Sequence, residues 1–121
     1  MLQYKQCAVP FQYLLQKWQG YPENIPRSGV GSSLENSENI RQALEKIVPF
    51  LAKELGKDKI RILDAPCGDM TWMPEFLRGR TDVEYTGYDL MPVNIEEAKE
   101  KFAEEPWRFF TWDLVRDRLG R

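Results

Sequence analysis

Histidine is absent from the 121-residue chain. That absence removes imidazole general-base catalysis, histidine-based nucleophilic triads and every common zinc ligand set that needs imidazole. Carboxylates, hydroxyls or a cofactor must then carry any chemistry, and no metal ligands can be assigned. Cysteine is nearly as scarce: only Cys7 and Cys67 occur. With no secretory signal pattern they read as reduced thiols in a cytoplasmic setting, not as a disulfide framework. No apolar run approaches the roughly 20 residues of a membrane span, so no membrane partner is expected. An excess of either charge is also missing. Lysine and arginine total 17 against 19 acidic residues, a net charge of -2, which gives no general attraction for nucleic acid. Internal repeats and low-complexity tracts are lacking as well.

What remains fits one domain with a modest core. Phe11, Leu14, Leu15 and Trp18 recur at helical spacing and predict a short helix within residues 1–20. Pro22, Pro26, Gly29 and Gly31 follow in turn-rich chain. Residues 1–33 therefore read as an N-terminal helix and loop, and residues 34–121 as the folded portion. Ser33 or Ser37 caps the next segment, in which Ile40, Leu44, Ile47, Val48, Leu51 and Leu55 predict an amphipathic helix ending at Gly56. Pro49 inside it predicts a kink or two consecutive helices.

After the GKDK turn the period changes. Ile60, Ile62 and Leu63 form a brief apolar run, as in a parallel strand buried on both faces. Residues 69–78 predict a short helix with Pro74 in its first turn, and Val83 to Asp89 a second strand. Pro92 opens a helix through Phe102, and Arg108 to Asp113 is a third strand. Strands alternating with helices imply βαβ crossovers, a parallel sheet and an α/β, Rossmann-like fold, with ligands taken at the carboxyl ends of the strands.

Asp64, Asp89 and Asp113 each follow a strand-like run and so fall on that rim. Asp89 lies 25 residues after Asp64, about the reach from the first strand of a βαβ unit to an acid that binds ribose hydroxyls. Gly68 lets the main chain approach a ligand closely. The plain alternative is that Asp64 and Asp89 cap helices and Asp113 is a solvated turn acid. Cys67 reads as a packing residue, because no neighbouring cation lowers its pKa. Trp72 and Trp112 read as core or pocket walls.

These stretches together resemble the class I S-adenosylmethionine-dependent methyltransferases. ILDAPCGDMTWM is similar to their first motif in its DxPCGD variant, YTGYDLMP to the second and FFTWDL to the third. The loop SGVGSS resembles the segment before the first helix in bacterial-type members of that subgroup. The resemblance covers about residues 60–119 and rests on the combination of motifs. It implies that Asp64 stands under the methionine amino group of the cofactor, directly or through water, with the main chain of Ala65, Pro66, Cys67 and Gly68 along the methionine moiety. It further implies that Asp89 holds the ribose hydroxyls, Leu90 packs on adenine, Asp113 accepts from the adenine amino group and the Leu114 amide donates to the ring. A cationic sulfonium suits an acid-lined site without histidine. Pro66 and Met70 stand where the commoner motif has its first and last glycines, so the turn follows the subgroup's geometry. A nicotinamide dehydrogenase would need all three glycines.

The family fold continues for several strands beyond its third motif, whereas here DLVRDRLGR follows the third strand. The expectation is thus a cofactor-binding N-terminal portion, a three-stranded sheet in the order 3-2-1, inactive alone and methylating an unidentified acceptor in its full-length form. Its catalytic residues are unassigned. The open sheet edge calls for self-association or a partner chain to cover it. The N-terminal aromatic helix would pack across the sheet or close over the cofactor. The competing expectation is a non-catalytic interaction or regulatory module that keeps the fold.

Overall fold

The structure, a computed structural model, describes residues 32–113 and 115–117. The expected N-terminal helix, most of the loop after it, Cys7 and Leu114 lie outside the described residues. The elements are α1 (Glu38–Leu55), β1 (Ile60–Asp64), α2 (Met73–Leu77), β2 (Val83–Asp89), α3 (Pro92–Lys101) and β3 (Arg108–Thr111). The strands form one parallel open sheet in the order β1-β2-β3, with Asp64 level with Gly87 and Asp89 level with Thr111. This is an α/β architecture with flanking helices, compatible with a Rossmann-like fold.

Each boundary has a local cause. Ser37 is the N-cap residue of α1, but its hydroxyl donates to the Leu34 carbonyl and not to the helix end; Ser33 Oγ accepts from the Asn36 amide at 3.2 Å. Between the two serines the sequence left open, one shapes the approach and the other occupies the cap position. Pro49 does not divide the helix: α1 runs unbroken for 18 residues. Pro49 is exposed, so the carbonyl one turn back that loses its donor faces water, where its cost is smallest. Pro74 and Pro92 sit in the first turns of α2 and α3, where a missing amide costs nothing.

All three helices pack on the same side of the sheet. Val48 from α1, Met73, Phe76 and Leu77 from α2, and Ile95 and Ala98 from α3 meet Ile60, Tyr85, Phe102 and Phe109 in one core. Phe76 is 2% exposed and Ile95 fully buried, and burial of side chains this size contributes about 1.5–3 kcal/mol each. Tyr85 and Phe109 meet edge to face at 6.0 Å, and Phe102 stacks on Phe109 at 6.1 Å. Arg80 fastens the rim of this layer by gripping Asp82 with two nitrogens, each at 3.0 Å, while also reaching Glu45 on α1.

The opposite face differs from the sequence expectation of strands covered on both sides. Arg61 and Glu84 are exposed there, as are Leu63 at 52% and Phe110 at 46%. Alternation along a strand puts Leu63, Thr86, Tyr88 and Phe110 on this second face. An apolar residue in a strand predicts a neighbour layer only if that layer is present, and among the described residues no helix covers this side.

Candidate functional site

The site is built at the carboxyl ends of β1 and β2. β1 ends on Asp64, the Ala65–Pro66 peptide is cis, and the chain then turns through Cys67 and Gly68. The Cys67 amide donates to the Tyr88 carbonyl at 2.8 Å, which carries the β1–β2 pairing past the strand end. Gly68 has a φ of +61°, a conformation that side chains disfavour. A Cβ there would meet no protein atom within 4 Å. The backbone thus demands glycine for its conformation, and the space beside it stays open to a ligand.

Asp89 is only 6% exposed. Its Oδ2 accepts from the Gly68 amide at 2.8 Å, and its Oδ1 accepts from the Met91 amide at 2.8 Å and from Asn94 Nδ2 at 3.5 Å. One carboxylate therefore ties the turn after β1 to the entry of α3, whose own N-cap residue Met91 supplies no capping side chain. The plain reading of Asp89 as a capping acid is present in the geometry. Each oxygen still keeps acceptor capacity, because a carboxylate offers about four lone-pair directions.

Asp64 is held differently. Tyr85 Oη donates to Asp64 Oδ2 at 2.7 Å, and no other donor among the described residues reaches this carboxylate. Burial is the main cause that pushes the Asp64 pKa up; the Tyr85 hydrogen bond pulls it down and the Asp89 charge adds to the rise. Burial beside these acids also pushes the Cys67 thiol up to about 12. Cys67 is thus a neutral thiol at physiological pH and no nucleophile, as its sequence surroundings suggest.

Asp64, Pro66, Cys67, Gly68 and Asp89 line one open cleft with Ser32, Asp69, Thr71 and Trp72. The first five were anticipated as site residues. Asp69 and Thr71 were not, although they continue the same turn; Trp72, read from the sequence as a core or pocket wall, is a wall of the cleft. Ser32 enters from the SGVGSS loop before α1, a stretch the sequence singled out without assigning it a place in the site. Thr71 Oγ1 donates to Asp69 Oδ1 at 2.7 Å, which fixes that edge. Among the described residues, three carboxylates and no lysine or arginine line the cleft, so the potential they set up favours a cation. Among the described residues no group of histidine, cysteine or acidic side chains has the arrangement to hold a metal ion.

The remaining anticipated residues lie apart from this lining. Ala65 is in the turn but does not face the cleft, Leu90 is 41% exposed, and Asp113 stands beyond the end of β3. Asp113 Oδ1 accepts from the Val115 amide at 2.9 Å and the Arg116 amide at 3.3 Å, the geometry of a turn acid. Two of the three strand-end acids therefore share the cleft and the third organises its own turn. The cleft encloses about 190 Å³, less than the ~300–1,000 Å³ of pockets that enclose a small-molecule ligand, so it has room for only one end of a ligand of that size. No helix among the described residues is long and apolar enough to cross a membrane. No protein-family model and no curated protein matches the chain.

Proposed function

We propose that this chain is the cofactor-binding portion of an S-adenosylmethionine-dependent methyltransferase acting on an unidentified acceptor. The observation that carries the reading is the joint placement of Asp64, Asp89 and the open Gly68 turn in one acidic cleft at the carboxyl ends of adjacent parallel strands. The donor set suits the ligand: a cationic ammonium and sulfonium next to carboxylates, with no basic side chain among the described residues of the lining. When bound, the sulfonium supplies an electrophilic methyl group. Asp64 would take the ammonium, the Gly68 main chain would lie against the aliphatic part, and the outer lone pairs of Asp89 would face the ribose hydroxyls. Leu90, exposed just past β2, is available to an adenine ring, and Asp113 with the Leu114 amide would meet its edge.

Calorimetric titration of the chain with S-adenosylmethionine and with its demethylated product, S-adenosylhomocysteine, tests this reading. Saturable binding that Asp64→Asn weakens about tenfold or more is the expected result, since a hydrogen bond to a charged group contributes about 1.5–3 kcal/mol. Folded protein that binds neither compound overturns it.

A second reading, a non-catalytic interaction module, is favoured by a separate observation. Among the described residues β1 is an edge strand, and no helix covers the sheet face carrying the exposed Leu63 and Phe110. An edge with free amides and carbonyls beside apolar surface suits a partner chain or a second copy. Failure of cofactor binding together with self-association would favour this reading.

A further inference from the structure

Tyr85 belongs to the buried core, yet its hydroxyl reaches the candidate site. The ring starts on β2 and runs along the strand's core face past Gly87, which is level with Asp64 on β1. A Cβ on Gly87 would stand 3.0 Å from the Tyr85 hydroxyl, 3.0 Å from Phe109 Cδ1 and 3.1 Å from Cys67 Cβ. The missing side chain at Gly87 is therefore what opens the passage for the phenol. At its end the hydroxyl donates to Asp64 Oδ2 at 2.7 Å, with the sulfur of buried Met70 at 3.1 Å on its other side. The hydroxyl has one hydrogen, and the carboxylate is the stronger acceptor.

We propose that Tyr85 is the positioning residue of this cleft: its hydroxyl fixes one oxygen of Asp64, and so the orientation of the carboxylate, leaving the other oxygen without a protein donor among the described residues and open to a primary ammonium on the ligand. The proposal rests on the cofactor reading above and adds the residue that orients the acid. Burial and the adjacent Asp64 charge hold the Tyr85 phenol well above the usual tyrosine range, which keeps it a donor at neutral pH. The other titratable groups acting on this pair are Asp89 on β2 and Cys67 in the turn.

The test compares wild type with Tyr85→Phe in the full chain, using two readouts: calorimetric titration with S-adenosylmethionine from pH 5 to 9, and carbon-13 chemical shifts of the Asp64 carboxyl over the same range. The expected result is binding about tenfold weaker at neutral pH, with the acid limb of the binding profile and the Asp64 carboxyl midpoint both displaced to higher pH, because a donor that favours the ionised form is gone. Equal affinity with an unmoved acid limb, or an Asp64 midpoint identical in the two proteins, overturns the proposal. If wild type binds no S-adenosylmethionine, the cofactor reading falls and the Asp64 midpoint alone decides whether Tyr85 orients the acid. If Tyr85→Phe does not fold, the wild-type Tyr85 Cζ resonance decides: it must shift with the Asp64 titration, and a flat trace through that midpoint overturns the assignment.

Discussion

Asp64 is stable in its ionised form only at a cost to the fold. Its pKa in the folded chain lies above the ordinary value of 3.8, so the folded state retains the proton to higher pH than the unfolded state does. Its ionisation therefore destabilises the fold as pH rises from about that ordinary value through the raised one, and the penalty then stays constant. Asp64→Asn removes the titration while keeping an oxygen for Tyr85. The variant should melt at a higher temperature than wild type at neutral pH, and the difference should vanish as pH falls below 4; thermal melts across that range check it. Cys67 gives a second expectation at this scale. A thiol moved from 9.0 to about 12 has about a thousandfold less thiolate at a given pH. In a Cys7→Ser background, iodoacetamide should label native Cys67 far more slowly than the urea-unfolded chain, as followed by mass spectrometry. Rates that match would show that the thiol is neither buried nor surrounded by acids as described.

At the scale of elements, the β2 strand does two jobs with alternate residues. Tyr85, Gly87 and Asp89 face the helices and build the site, while Thr86 and Tyr88 face the bare side. Gly87→Ala forces a methyl group into contacts of 3.0–3.1 Å with Phe109, Tyr85 and Cys67, and overpacking of this kind costs about 1–3 kcal/mol. Chemical denaturation should show that loss, and the Asp64 carboxyl midpoint should move in the direction seen for Tyr85→Phe, because the same phenol is displaced. The elements themselves were largely legible. The switch of apolar period near Ile60, the prolines at the starts of α2 and α3, and the glycine after α1 carry strong local signals, and strand ends at Asp64 and Asp89 follow from them. Of the two outcomes expected at Pro49, division into two helices does not occur, since a proline's effect on a helix depends on whether the orphaned carbonyl meets water or core, and a sequence does not state exposure.

For the whole molecule, the one-sided sheet is the dominant fact. Among the described residues, helices cover one face, and the other presents Leu63, Tyr88 and Phe110 with β1 as an edge strand. Such surface favours association of the isolated chain. Light scattering after size-exclusion chromatography should show an apparent mass that rises with concentration, and the double variant Leu63→Lys with Phe110→Lys should suppress that rise with little loss of stability, since both positions are exposed. A strictly monomeric wild type at high concentration would count against this use of the face.

The order of elements, the parallel sheet and the two strand-end acids of the cleft were determined by local sequence alone, because period, turn chemistry and capping act over a few residues. Which acids converge was decided only by the tertiary structure. Asp64 and Asp89 end neighbouring strands, and the turn that follows Asp64 bonds to Tyr88 and Asp89 on β2, whereas Asp113 begins a turn of its own two residues past β3. The part played by Tyr85 was hidden for the same reason. A tyrosine in a strand reads as core, and only strand register, which sets Gly87 beside Asp64, shows that its hydroxyl arrives at the acid.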